Sequence, residues 1–251
     1  MATPSTSPPR PDPSGRGLTD DLITLAGTPD DDSTVPLLLN SITQFAADLL
    51  PPVSYASMTV RDKDAYATVA MSSEVALAVD EAQYADEVGP CLDALRTADP
   101  MALPQIDTTV KWPRFREAAH RLGLRASLSI PLFAGRGIPI AALNLYSRDT
   151  ATMAPLCTAV LAAFESSGEH DAETRPDGLG PGSRQMVNGL IGAFEVRARI
   201  QRALGMIMAE EQTNVDFAYV ILRSRAAAIA LSLTAAAGSV LARAGDDQRP
   251  A

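Results

Sequence analysis

Four arginines in the last third of the chain have side chains and spacing that are suited to binding phosphate groups. Arg199 and Arg202 are three residues apart in RARIQRALGMIMAEE, so they share one face if this stretch is a helix. Arg223 and Arg225 follow in a second helical stretch. A guanidinium group can bind a phosphate through two hydrogen bonds and can stack on a base. The arginines could therefore form a basic surface that binds the phosphates of an anionic partner. The alternative is a solvated helix face with local ion pairs.

Cys91 is the other residue whose position could support chemistry. It follows a Gly-Pro pair that predicts a helix start, and a helix N-terminus stabilises a thiolate. The alternative is a small buried apolar residue. Cys157, His120 and His170 are not closely paired with Cys91, so we expect no zinc site. No nucleophile–base arrangement is specific enough to predict catalysis, and we expect no catalytic residue, metal or cofactor.

The charge of the chain is unevenly distributed. The whole sequence has a net charge of −9 from 21 basic and 30 acidic residues. Residues 1–179 contain 13 basic and 24 acidic residues, whereas residues 180–245 contain 7 and 4. The second region is thus net positive by three, which indicates an anionic partner for the C-terminal part of the chain.

Residues 1–18 predict a disordered leader, because five prolines occur in the first thirteen positions and no apolar run follows them. No stretch of the chain reaches the roughly 18 apolar residues of a membrane span. We therefore expect a cytoplasmic protein without a membrane partner, with its two cysteines as free thiols.

Residues 19–167 alternate between helix and strand patterns. A helical period runs through STVPLLLNSITQFAADLL, and MAPLCTAVLAAFES predicts a closing helix. YASMTVRD and AYATVAMS predict one hairpin, and ASLSIPLF and IPIAALNLYS, joined by AGRG, predict a second. Antiparallel hairpins flanked by helices predict an α+β fold.

Residues 168–184, GEHDAETRPDGLGPGSR, predict a linker, after which residues 185–245 are helical and residues 246–251 form a tail. A seam of residues spaced by four and three begins this region: Met186, Leu190, Ala193, Arg197, Ile200, Leu204 and Ile207. Such spacing predicts a coiled-coil helix and a parallel homodimer. The alternative is that the second half of the seam packs on the two helices that follow.

The motifs GPCLDAL, WPRF, SIPL and AALNLYS follow one another within residues 86–147. Together they resemble a GAF sensor domain, of the kind that actinobacteria couple to an ANTAR output domain. The resemblance implies an antiparallel sheet with a pocket for an unidentified small molecule beneath the covering helices and loops. The candidates for its lining are Cys91, Leu95, Trp112, Ser129 and Asn144.

The stretch RIQRALGMIMAEEQTNVDFAYVILRSRA resembles the ANTAR domain, the three-helix RNA-binding unit of transcription antiterminators. The resemblance implies an all-α bundle that binds hairpin loops of nascent RNA. The candidate contacts are Arg199, Arg202, Gly205, Arg223 and Arg225. The sequence departs from the family at Leu204, where a lysine is usual, and at Ala230 to Leu233, where an asparagine followed by basic residues is usual.

Three hypotheses follow. The first is a signal-responsive RNA-binding regulator of transcription antitermination, which is not an enzyme. The second is a dimeric protein-interaction module whose degenerate ANTAR bundle exposes Leu204, Ala230 and Leu231 and no longer binds RNA. The third is a small redox enzyme that uses Cys91.

Overall fold

A computed structural model describes residues 17–63, 65–165 and 178–247. Residues 1–16 of the predicted leader, residues 166–177 around the predicted linker and residues 248–251 of the predicted tail lie outside the described part. The centre of the first region is a five-stranded antiparallel sheet in the order β2-β1-β5-β4-β3. Its strands are β1 (Tyr55–Asp62), β2 (Ala65–Met71), β3 (Met101–Leu103), β4 (Ala126–Ala134) and β5 (Ile138–Ser147).

Helices surround the sheet and continue to the end of the described chain. Their bounds are α1 (Leu18–Gly27), α2 (Val35–Leu49), α3 (Glu74–Asp86), α4 (Pro90–Thr97), α5 (Pro113–Arg121), α6 (Thr150–Glu165), α7 (Pro181–Glu211), α8 (Val215–Ala228) and α9 (Leu233–Asp247). Both predicted hairpins, β1–β2 and β4–β5, are confirmed, and so is the α+β class. Helix α1 was not predicted, because its short apolar pattern directly follows the proline-rich start of the chain.

The first face of the sheet carries the main apolar core. Side chains alternate between the two faces along each strand, so Met58, Leu143 and Ile130 stand side by side on β1, β5 and β4. Helices α1, α2, α6 and the first half of α7 contribute the apolar side chains that cover this face. Burial of this apolar surface is the main stabilising contribution to the fold.

Helix α7 belongs to both regions of the protein. It begins at Pro181, inside the segment predicted as linker, since proline is favoured in the first turn of a helix. Its first half is buried in the main core and packs along α1. Its second half packs on α8 and α9. The chain therefore has no structural break at residue 185.

The heptad seam of α7 is filled within the chain. Met186 and Leu190 are buried in the main core, and Ile200, Leu204 and Ile207 are buried in the C-terminal bundle. The coiled-coil interpretation is therefore corrected, because the apolar residues that seemed to require a second copy have partners in the same chain. The alternative, packing of the second half on the following helices, is confirmed. A homodimer remains a prediction without support from this seam.

Glycines allow α7 to lie close to α1 and α2. A Cβ at Gly189 would lie 2.7 Å from Leu22 Cδ1 and 3.0 Å from Thr19 Cα, and a Cβ at Gly182 would overlap the carbonyl oxygen of Leu49. Glycine lowers helix propensity by about 1 kcal/mol relative to alanine. Close packing against α1 and α2 offsets that cost.

The second half of α7, α8 and α9 form a three-helix bundle with its own core. The buried residues of this core are Ile200, Ala203, Leu204, Ile207, Ala218, Tyr219, Leu222, Ala226, Leu233, Ala236, Ala237 and Val240. The Asn214 side chain caps α8 by accepting the backbone N–H of Phe217 over 3.0 Å. The predicted helical character of this region is confirmed; its assignment to the ANTAR type remains a prediction.

Within the described ranges, none of the helices has by itself the length and apolar character to cross a membrane. Helices α8 and α9 meet these requirements only when taken together, and they are bent by 103° at the break between them.

Candidate functional site

The second face of the sheet carries buried polar side chains. Ser57, Asn144 and Ser129 form a row across β1, β5 and β4, because Asn144 is the register partner of both serines. In the next row Tyr146 pairs with Ser127. All five residues are fully buried beneath α3 and α4. These five residues are called the polar layer below.

Asp80 of α3 is aimed at the polar layer. It lies on the helix face that also carries Ala76, Val79 and Gln83, all buried at helical spacing, so the carboxylate takes an inside position. The Tyr146 hydroxyl donates to Asp80 Oδ1 over 2.6 Å, and the Asn144 amide donates to the same oxygen over 3.3 Å.

The Asp80 carboxyl has no cationic partner among the described residues. Its second oxygen accepts the Thr68 hydroxyl over 2.9 Å, so its neighbours are hydroxyls and an amide. Burial raises the pKa of Asp80 to about 6, although the hydrogen bonds to its carboxylate oppose the increase. Asp80 is therefore the group of this site whose charge changes nearest to neutral pH.

Three buried polar atoms of the polar layer have no hydrogen-bond partner among the residues that the structure describes: Ser127 Oγ, Ser129 Oγ and Asn144 Oδ1. The Asn144 nitrogen donates to Ser57, Thr59 and Asp80, so the amide oxygen faces away from them. A buried polar atom without a partner costs about 1–3 kcal/mol. Three such atoms on neighbouring strands therefore indicate a place where the polar groups of a ligand would be held.

Cys91 lies at the start of α4, as predicted, but without the predicted thiolate. Its backbone N–H donates to Gln83 Oε1 over 3.0 Å, and the Gln83 amide donates to the Tyr146 hydroxyl over 3.2 Å. Burial, together with the nearby Asp80 charge, raises the pKa of the Cys91 thiol well above its usual range. Desolvation outweighs the helix N-terminus here, so the structure favours the alternative of a buried thiol.

Trp112 and Leu95, two further candidates for the pocket lining, are not part of the polar layer. Trp112 is buried at the start of α5, where its indole Nε1 donates to Asp93 Oδ2 over 3.1 Å and its ring packs in a small apolar cluster with Tyr146. Leu95 is half-buried one turn after Cys91 on α4. The structure thus brings Cys91, Ser129 and Asn144 to one layer, with Trp112 and Leu95 outside its centre.

The sequence analysis does not predict Asp80, Ser57 or Ser127 as site residues, although the sequence contains a signal for the two serines. The strands ASMTV and ASLSI place a hydroxyl at every second position, which puts all the hydroxyls on one face. Because the strands β4 and β5 are buried along most of their length, that face had to be an interior polar one.

Two of the four arginines of the predicted RNA surface pair with carboxylates of the same chain. Arg199 and Arg202 are exposed on α7, and Gly205 is exposed on the same helix. Arg223 pairs with Asp31 of the sensor region, with its Nη1 2.9 Å from the carboxylate. Arg225, two residues on and hence on another side of α8, is 3.0 Å from Glu211 of α7. Half of the predicted surface is therefore engaged within the chain.

Leu204 corrects one premise of the protein-interaction hypothesis. It was expected to add apolar surface, yet it is 1% exposed in the bundle core. Leu231 is exposed, as expected, and so is Ala230. The larger apolar surface lies on α8, where Phe217 is 64% and Val220 58% exposed.

No group of three or more potential metal ligands occurs in the described ranges.

A family model described as "GAF domain" matches residues 32–164 of this chain. No curated protein matches the chain. Solved structures similar to it include the following three. The A. aeolicus nlh2 GAF domain in an inactive state has 11% identity and a TM-score of 0.41, over 71% of this chain and 93% of that one. A domain from a two-component sensor histidine kinase protein of Sinorhizobium meliloti 1021 has 14% identity and a TM-score of 0.40, over 68% and 93%.

The third similar structure is the type II free methionine-R-sulfoxide reductase from Thermoplasma acidophilum. It has 15% identity and a TM-score of 0.37, over 57% of this chain and 89% of that one. At such identities the similarity concerns the fold alone.

Proposed function

The chain belongs to the GAF domain family, and from this we propose that it is a signal sensor whose small-molecule ligand binds at the polar layer. The observation that carries the proposal is the set of three unpartnered buried atoms, Ser127 Oγ, Ser129 Oγ and Asn144 Oδ1. Hydroxyls can donate and accept, whereas the amide oxygen only accepts, so the ligand would carry at least one hydrogen-bond donor.

Ligand entry would require the covering helices to move. The polar layer is completely buried under α3 and α4. A ligand that binds only when these helices separate favours the open arrangement by its differential affinity. The opposite face of β4 contacts α1 and α7, so a change in the sheet has a direct route to the bundle.

A thermal-shift screen of the full chain against small metabolites tests this proposal. A binding metabolite raises the unfolding temperature in a concentration-dependent way. Ser129→Ala removes one of the unpartnered hydroxyls and should lower the affinity for the ligand about fivefold, as expected for the loss of one hydrogen bond. A higher metabolite concentration is then needed for the same rise in unfolding temperature. Ser239→Ala, in α9 and remote from the sheet, is the matched control. Equal responses in both variants would place the ligand elsewhere.

For the output, we propose that the bundle binds structured RNA, as its resemblance to ANTAR implies. The supporting observation is the exposure of Arg199 and Arg202 on one face of α7. The second candidate output is the docking of a protein partner, favoured by the exposed Phe217 and Val220 on α8. The two differ in physics, since phosphate contacts weaken steeply with salt and apolar contacts change little.

Binding of the full chain to a pool of RNA hairpins at several salt concentrations distinguishes the outputs. The full chain is required because an isolated C-terminal fragment would expose the half of α7 that packs in the sensor core. Arg199→Gln/Arg202→Gln should lower the affinity and reduce the slope against log salt by about two. Arg61→Gln/Arg121→Gln, a pair of exposed arginines in the sensor, is the control. Equal effects of the two pairs would reject a specific role of α7 in RNA binding.

A further inference from the structure

A cluster of charged and aromatic side chains joins the sensor to α8. It comprises residues from the α1–α2 loop, from the β4–β5 turn and from α8. The residues of this junction cluster are Asp30, Asp31, Arg136, Asp216, Tyr219 and Arg223. None of them belongs to the polar layer.

Tyr219 is the centre of the junction cluster. It is 3% exposed, and its hydroxyl donates to Asp30 Oδ1 over 3.1 Å. The guanidinium carbons of Arg136 and Arg223 lie 5.4 and 5.7 Å from its ring centroid, within the range of cation–π attraction. Gly135 has a φ of +34° in the turn, and a Cβ there would overlap the Tyr219 hydroxyl. The turn is thus fitted to this side chain.

Arg136 connects the β4–β5 turn to two of the three helices of the bundle, α7 and α8. Its guanidinium lies 3.1 Å from Asp30 of the loop and 3.2 Å from Asp216 of α8. The Gln201 side chain of α7 donates to its carbonyl oxygen. Next to it, Arg197 Nε donates to the carbonyl oxygen of Gly137 over 3.0 Å. The β4–β5 turn is therefore anchored to α7 and α8 together.

Arg223 binds a carboxylate of the acidic α1–α2 loop in the way that it would bind an external phosphate. Its Nη1 lies 2.9 Å from each carboxylate oxygen of Asp31. The carboxylate raises the pKa of Arg223, and the guanidinium lowers that of Asp31. Three consecutive acidic residues, Asp30 to Asp32, stand in this loop opposite the net positive C-terminal region. The carboxylate of Asp31 thus occupies the position that a phosphate oxygen would take on Arg223.

We propose that the α1–α2 loop autoinhibits the bundle, because Asp30 binds the Tyr219 hydroxyl and Asp31 pairs with Arg223 in place of an external polyanion. Release of the loop exposes the Tyr219 ring, frees the Arg223 guanidinium from its ion pair and makes both available to a phosphate chain. The inference rests on the RNA output proposed above for the class of partner, whereas the covering of Tyr219 is independent of that output.

The first arm of the test follows Tyr219 directly. The chain has five tyrosines, so 3-fluorotyrosine labelling of the full chain gives five ¹⁹F signals, and Tyr219→Phe assigns the relevant one. Asp30→Ala/Asp31→Ala should increase the broadening of this signal by a dissolved paramagnetic agent about two- to tenfold, since each exposed ion pair shifts an equilibrium by up to about fivefold. Asp48→Ala/Glu117→Ala removes the same charge from exposed sensor positions and should leave the signal unchanged.

The second arm measures the anion site with heparin as the probe. The Asp30→Ala/Asp31→Ala chain should elute from immobilised heparin at higher salt than the Asp48→Ala/Glu117→Ala control, which has the same net charge. Adding Arg223→Gln to the first variant should return elution to that of the control. These results, together with the exposure of Tyr219, would support autoinhibition.

A Tyr219 signal that stays protected in Asp30→Ala/Asp31→Ala would overturn the proposal, and so would elution together with the charge-matched control. Later elution that persists with Arg223→Gln would overturn the role of Arg223. If heparin binding rises as expected but RNA hairpins still do not bind, the RNA output fails and autoinhibition stands.

Discussion

The two faces of the central sheet are formed by the same three strands but differ in how completely their side chains are satisfied. On the first face, Met58, Leu143 and Ile130 are fully buried under four helices. On the second face, the adjacent row of Ser57, Asn144 and Ser129 is equally buried, yet two of its polar atoms have no partner. Burial alone therefore does not distinguish a core from a candidate site.

This difference assigns separate tasks to the two faces. Apolar contacts on the first face stabilise the fold and join the sheet to α7. The second face retains unpaired hydrogen-bonding capacity and a carboxyl group without a cation. Unpaired buried polar groups reduce the stability of the fold. They are expected at positions where the residue type is determined by ligand binding and not by core packing.

The largest expected effect is on the first face. Leu143→Ala should lower the free energy of unfolding by about 3 kcal/mol, because it leaves a cavity between the sheet and its covering helices. Urea denaturation measures this change from the shift in midpoint. Leu161→Ala, at a position 36% exposed on α6, should cost less than about 1 kcal/mol. Similar losses in the two variants would mean that this face is not the tightly packed one.

The second effect is the pH dependence that Asp80 gives to the second face. Its pKa is raised from 3.8 to about 6 in the folded state, so between these values the folded protein binds a proton that the unfolded chain has lost. The contribution of Asp80 to stability is therefore favourable below about pH 4 and is lost as pH rises through 6, by about 3 kcal/mol in total.

Asp80→Asn tests this sign, because the amide cannot ionise. The variant should be more stable than the parent at pH 7 and should approach it near pH 4, as measured by urea denaturation across that range. Glu117→Gln, which removes an exposed carboxylate of α5, serves as control and should follow the parent profile. If the difference in stability between the parent and Asp80→Asn does not change with pH, the raised pKa of Asp80 is contradicted.

The elements of the sensor could be predicted because their signals are local. A period of two, a Gly-Arg-Gly turn and a proline pair define both hairpins and the end of α2 without knowledge of the rest of the chain. The partner of an apolar seam is not local information. The spacing through Leu190 and Leu204 shows that one face of α7 is buried, and only the fold shows that α1, α8 and α9 bury it.

The candidate site was predicted in part for the same reason. Ser129 and Asn144 were identified through a resemblance and lie opposite each other in the polar layer. Asp80 was missed because a charged residue in a helix pattern usually faces solvent. Arg223 was predicted to be open, whereas a loop nearly two hundred positions earlier in the chain supplies its partner. Contacts across such separations depend on tertiary structure and have no signature in spacing.

The smallest expected effect is a difference in stability between two serine substitutions in one row of the second face. One serine hydroxyl has a hydrogen-bond partner and the other has none among the described residues. Ser129→Ala removes an oxygen that has no partner, so it should change the free energy of unfolding by less than about 1 kcal/mol and in the stabilising direction. Ser57→Ala removes an oxygen that accepts the Asn144 amide over 3.3 Å and should destabilise by about 1 kcal/mol. Both positions are fully buried on the two strands that flank β5, so the pair differs mainly in hydrogen bonding. If urea denaturation shows the two substitutions to be equally costly, Ser129 has a partner within the folded chain, and the polar layer loses one of the three groups that indicate a ligand.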